Sequence, residues 1–131
     1  MVKINEEEEN IITINNVKYI KKDSLPKNIS LAKKSKTGKK YVLIRTYSAG
    51  VHVGYLEKRS GKEVKLSDSR RIWYWKGAAS LSELAIKGIK NPDDCKFSVV
   101  IPEIELTEAI EIIPVSDVAK ESINGVKEWT A

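Results

Sequence analysis

A chain of 131 residues, 41% hydrophobic and 31% charged, is expected to fold as one compact domain that buries roughly two-thirds of the surface its unfolded chain exposes. No apolar run approaches the roughly 20 residues that cross a bilayer, and no basic stretch precedes an apolar one as in an export signal. A membrane partner is therefore not expected, and a reducing cytoplasm is the expected setting. Cys95 and His52 each stand alone, which argues against intramolecular disulfides, Cys/His metal sites and multi-histidine catalytic centres. Neither a metal nor a cofactor is expected.

The net charge of +5 is unevenly placed. Residues 1–40 hold 10 basic against 5 acidic side chains, residues 41–95 hold 10 against 6, and residues 96–131 hold 3 against 7. A basic front and an acidic tail suit either an anionic partner or head-to-tail contact between copies.

In chain order, residues 1–10 read as an acidic leader because of Glu6 to Glu9. Residues 11–32 form a hairpin unit, with two β-branched runs from Ile11 to Ile20 around Asn15-Asn16, whose residues tolerate the positive φ of tight turns. Residues 33–40, with five lysines in eight positions, read as a mobile basic loop, its lysines solvated. Residues 41–131 read as the main domain. There Tyr41 to Thr46, Val51 to Leu56, Glu63 to Leu66 and Arg70 to Trp75 are strands by composition and alternation, separated by turns at Ser48 to Gly50 and Ser60-Gly61. Ser80 with Glu83 has capping-box spacing, and Gly88 stops the short helix it opens. Phe97 to Ile101 is expected as a buried strand broken by Pro102. Glu103 to Ile113 alternates as a half-buried edge, its glutamates on a solvent face. Ser116 caps a last helix whose apolar side is Val118, Ala119 and Ile123. The expected fold class is α+β, mainly an antiparallel β meander with two short helices.

Two stretches could carry chemistry. In Arg45-Thr46-Tyr47-Ser48-Ala49-Gly50-Val51 a strand delivers an arginine to a turn with hydroxyls, backbone N–H groups and a glycine, which suits a phosphate. A plain hairpin turn with a solvated arginine has the same sequence. In Arg70-Arg71-Ile72-Trp73-Tyr74-Trp75, alternation puts Arg71, Trp73 and Trp75 on one face and Arg70, Ile72 and Tyr74 on the other. An arginine beside indoles suits a nucleotide, with a cation for phosphate and a ring for the base. Trp73 is expected in the core, and Trp75 stands evenly between core and site. His52 is expected as a satisfied structural imidazole. Ser48 lies in no nucleophile elbow, and no second histidine exists to act as its base. An enzyme is not expected.

These motifs, together with Gly54-Tyr55, Gly77-Ala78, Ser80-Leu81 and Cys95-Lys96-Phe97, resemble a family of small phage and prophage proteins over about residues 41–129. In size, β content and residue types the chain is also similar to the phage Thoeris anti-defence sponges, which hold cyclic ADP-ribose-type immune signals without catalysis. That second resemblance implies homo-oligomers with pockets at subunit contacts, where arginine meets phosphate and an aromatic ring meets the base. It transfers no site by position.

The expected function is a phage-encoded sponge that sequesters a small cyclic nucleotide signal in the cytoplasm of the infected or lysogenic host. Arg45 and Arg71 would bind phosphates, with Arg70 as a helper. Tyr47, Ser48 and Gly50 would supply the turn, and Phe97 or Trp75 would stack on the base. A small nucleic-acid-binding protein, using the 33–40 lysines and the Arg/Trp strand, is the alternative. A protein-binding inhibitor or virion-associated part is the third.

Overall fold

The computed structural model describes residues 11–14, 17–20 and 29–131; the acidic leader, the Asn15-Asn16 turn and residues 21–28 lie outside them. Ile11–Ile14 (β1) and Val17–Ile20 (β2) pair antiparallel with Ile14 opposite Val17, as two β-branched runs around a tight turn predict. The 33–40 segment is a hydrogen-bonded turn: Ser35 N–H donates to Lys39 O at 2.9 Å and Gly38 N–H to Ser35 O at 2.8 Å. Gly38 takes φ +80° there, and Lys33, Lys34, Lys36 and Lys40 stay exposed.

The rest is α+β. Tyr41–Thr46 (β3), Val51–Ser60 (β4), Glu63–Tyr74 (β5), Lys96–Phe97 (β6), Ile101–Leu106 (β7) and Ala109–Pro114 (β8) form one antiparallel sheet. Its order is β6-β5-β4-β3-β8, and β7 pairs a different part of β5 from β6. In a flat sheet β7 and β8 would lie four strand spacings apart, about 19 Å. Yet only Thr107 and Glu108 join them, and three Cα steps reach at most about 11 Å. The sheet must therefore curl, and Ala109 N–H donating to Lys62 O at 3.0 Å closes the curl near the β4–β5 turn.

Curling gives two cores. Inside the curl lie Val42, Ile44, Val64, Leu66 and Leu106. On the other face Tyr41, Leu43, Val53, Ile72 and Phe97 pack with Leu84 and Ala85 of Leu81–Lys87 (α1) and with Ala119 and Ile123 of Asp117–Asn124 (α2). β3 is buried on both faces, hence its nearly continuous apolar sequence. Both helices begin as their sequences predict. Glu83 N–H donates to Ser80 Oγ at 3.1 Å, and Ala119 N–H to Ser116 Oγ at 3.0 Å. Ser116 Oγ also donates to Ile86 O at 2.6 Å, tying the start of α2 to the end of α1. Among the described residues no helix is long and apolar enough to cross a membrane.

β5 carries the decisive irregularity. Val64 and Leu66 face the inside of the curl, whereas Ile72 faces the helices, although all three occupy even positions. Strict alternation would place them together. Val53 pairs with Arg70 and Tyr55 with Ser67, so Asp68 and Ser69 together oppose Gly54. This β-bulge, with Asp68 at φ +47°, adds one residue and exchanges the faces beyond it. Ser69 Oγ secures it on Val53 O at 2.9 Å.

Five local expectations are corrected. Glu63 to Leu66 and Arg70 to Tyr74 are not two strands but parts of one, bent rather than broken at the bulge, and Trp75 lies beyond its end. Of the expected buried strand Phe97 to Ile101, Phe97 pairs in β6 and Ile101 in β7, while Val99 and Val100 between them are exposed. Pro102 lies within β7, tolerated because that edge strand has an open side on which no N–H is needed. Glu103 to Ile113 is two strands on opposite edges, and Val118 is exposed while α2 buries Ala119 and Ile123.

His52 is a structural imidazole, 1% exposed, with Nε2 2.9 Å from Ala49 O. Burial, with a smaller contribution from the Arg71 charge, lowers its pKa below the usual 6.5, and the Ala49 bond only partly opposes this. The unfolded chain thus binds the proton more readily. The His52 contribution to stability is complete above pH 6.5 and is lost as pH falls from there through the lowered folded value. In urea unfolding, His52→Gln should remove that part of the acid-side decline. Gly54→Ala should cost about 1–3 kcal/mol in the same measurement. Its Cβ would lie 2.9 Å from Ser67 O and 3.2 Å from Ser69 Cα, against the backbone of the bulge.

Candidate functional site

β3 carries Arg45 to the 47–50 turn as predicted, but the turn satisfies itself. Thr46 N–H and Oγ1 donate to Gly50 O at 3.0 and 2.7 Å, and Ala49 N–H donates to Thr46 Oγ1 at 2.8 Å. Gly50 adopts φ +86° with open space where a side chain would be. Two glutamates take the groups expected to hold phosphate. Arg45 Nε donates to Glu111 Oε1 at 2.7 Å, and Ser48 Oγ to Glu108 Oε1 at 3.0 Å. The sequence puts both glutamates on a solvent face, but β8 pairs directly with β3 and sets Glu111 opposite Arg45. The Arg45–Glu111 pair is half exposed, so it is worth at most about 1 kcal/mol. Tyr47 projects into solvent at 77% exposure.

Arg70 and Arg71 part company at the strand. Arg70 is 3% exposed on the helix side. Its Nε donates to Ser98 O and its Nη1 to Ile123 O, each at 2.8 Å, and its guanidinium lies 5.2 Å over the Phe97 ring. Phe97 is fully buried, so its ring offers no face to a nucleotide base; its apolar bulk is spent on the core beneath Arg70. Trp75, beyond the end of β5, is half-buried and packs on the helix-side core.

Arg71 and Trp73 point the other way. Arg71 is half-buried opposite His52, and its Nε is buried with no hydrogen-bond partner among the described residues. Trp73 is 57% exposed, which corrects its expected place in the core. Arg70 and Ile72 take the helix-side core at this end of β5, and the cluster inside the curl draws on β5 only through Val64 and Leu66.

Trp129 stands against Trp73 with ring centroids 5.0 Å apart and planes at 85°. It is held there because Trp129 N–H donates to Phe97 O at 2.8 Å and Glu128 bridges to Phe97. Lys96 Nζ lies 5.1 Å from the Trp129 ring centre. The register sets Val51 opposite Ile72, so the 47–50 turn adjoins this end of β5. The arrangement offers indole surface for a planar ring and two cations, Arg71 and Lys96, for anionic groups. Among the predicted site residues, Arg71 belongs to it and the 47–50 turn lies beside it. Arg70, Phe97 and Trp75 belong to the helix side.

Trp73 was visible in the motif but assigned to the core, and Trp129 and Lys96 were missed as site residues. No local pattern links them, because a bridge between chain-distant segments makes the contact. Among the described residues no group of three or more His, Cys, Asp or Glu side chains is placed to hold a metal ion.

No curated protein and no solved structure matches the chain. The family described as a domain of unknown function, DUF6948, matches residues 39–123. That span takes in β3 to β8, both arginines of β5, the bulge and all but the last residue of α2. The chain belongs to the DUF6948 family.

Proposed function

We propose that the protein captures a nucleotide-derived ligand without transforming it. The observation that carries this reading is the half-exposed Trp73–Trp129 pair flanked by Lys96 and by Arg71. A base stacks on an indole and a phosphate is drawn to the cations, both sequence-independent interactions. A binding role is also favoured by His52, the one imidazole in the chain, which is buried and engaged with Ala49 rather than free to move protons. The finer form is a phage-encoded sponge for a cyclic ADP-ribose-type immune signal, acting in the host cytoplasm, and it rests on the resemblance to anti-defence sponges. The open face accords with a pocket completed by a second copy. The same openness favours one other reading, a single-stranded nucleic acid laid across the indoles.

The test is to incubate purified protein with a nucleotide extract of cells whose Thoeris-type defence has been triggered, wash it, and analyse the heat-released ligand by mass spectrometry. An intact cyclic ADP-ribose isomer supports the sponge. Trp73→Ala should weaken capture by about fivefold or more with the circular dichroism unchanged. Release of nothing, with oligonucleotide affinity that falls steeply with salt, would replace the sponge by the nucleic-acid reading. Absence of both kinds of binding would refute the proposal.

A further inference from the structure

The helix side of β5 holds a second concavity, separate from the indole face. A cavity of about 210 Å³ lies between the sheet and α2, lined by Tyr41, Tyr55, Arg70, Lys120 and Asn124, with Asp68 and Val100 completing its wall. Four elements contribute to it: β3, β4, β5 and α2. Val100 adds the segment between β6 and β7.

Two cations meet there without a counter-ion. Neither Arg70 nor Lys120 has a carboxylate within 4.0 Å among the described residues, where the ion pairs are Arg45–Glu111, Lys65–Glu103 and Lys76–Asp94. Arg70 spends Nε and Nη1 on neutral carbonyls and leaves the buried Nη2 with no partner among the described residues. Lys120 Nζ donates to Tyr55 Oη and lies 5.0 Å from the Tyr41 ring centre and 4.7 Å from that of Tyr55. The two rings meet edge to face at 5.1 Å, so the ammonium is held in place by aromatic surface.

Burial lowers the pKa of Arg70, but a guanidinium stays charged in proteins. A buried cation bonded only to neutral groups is costly unless a negative charge compensates it. At long range Asp68 acts on Tyr41 and Glu128 on Arg70, and among the described residues neither carboxylate pairs with a cation. Burial raises the Tyr41 pKa, so its phenol keeps its proton and remains a donor. The wall thus combines a guanidinium, an ammonium, two phenols, an amide and the Asp68 carboxylate.

We infer that this cavity is a binding site for a single tetrahedral oxyanion, a phosphate or phosphomonoester group, held between Arg70 and Lys120. Its volume is below the roughly 300–1,000 Å³ of sites that enclose drug-sized ligands. It suits a phosphate group rather than a whole dinucleotide. Two cations match the two charges of a phosphomonoester, and Asp68 would repel that charge at the wall.

The probe is inorganic phosphate, titrated by calorimetry into the full chain, with glycerol phosphate in a parallel titration to separate free phosphate from an esterified group. Wild-type protein should bind at least one of the two at millimolar concentration or below. Lys120→Gln should weaken binding about tenfold or more, and Lys120→Arg should restore it. Asp68→Asn should tighten binding by removing the repulsion, a gain that a purely structural cavity would not produce. Arg70→Ala is a poor test, since Arg70 also holds Ser98 and α2; Lys120 is half-buried on the helix surface, and its variants can be checked by circular dichroism.

Phosphate binding that survives Trp73→Ala separates this site from the nucleotide face. No binding of either probe at millimolar concentration would overturn the inference, as would binding insensitive to both Lys120→Gln and Asp68→Asn.

Discussion

Arg70 is where the separate parts of the main domain are joined. Its guanidinium sits over Phe97 and bonds at once to the segment after β6, through Ser98, and to the end of α2, through Ile123. Ile123 O is among the last carbonyls of α2, where helices carry unsatisfied acceptors and a partial negative charge. A cation is well placed there, and its bonds orient the helix on the sheet. Taking the charge out of water costs several kcal/mol, offset by these bonds and by the packing of Phe97. Because the partners are neutral, the charge itself stays uncompensated, and this gives the neighbouring cavity its character.

That placement depends on the bulge. Without the extra residue at Asp68–Ser69, the alternation set by Val64 and Leu66 would send Arg70 and Ile72 inside the curl and turn Arg71 and Trp73 toward the helices. Gly54 allows the bulge because Ser67 O and Ser69 crowd the space a side chain would need. One backbone irregularity therefore assigns the two adjacent arginines to opposite faces with different tasks. One is buried beneath a helix, and the other stands beside exposed indoles.

Strand pairing has a similar effect on the acidic tail. Glu108 and Glu111 look like surface glutamates in a line of alternating residues, yet β8 lies beside β3 and places them on Ser48 and Arg45. An arginine at a glycine turn resembles a phosphate cradle until its counter-charge is located. The same holds for Phe97, an aromatic near two arginines in sequence, whose ring is buried in the core.

The sequence alone determined the antiparallel character, the positions of β1 to β3 and the start of β4, the caps of both helices, the structural role of His52 and the opposed faces of Arg70 and Arg71. These follow from local rules of β-branching, turn residues, capping side chains and alternation, which act over a few positions. Only the tertiary structure decided which face was the core, because a one-residue bulge reverses every side chain beyond it. It also decided that Trp73 meets Trp129, that Glu111 meets Arg45, and that Lys120 joins Arg70 across a cavity. Those pairings depend on how a curled sheet and a packed helix bring distant segments together, and no spacing along the chain encodes them.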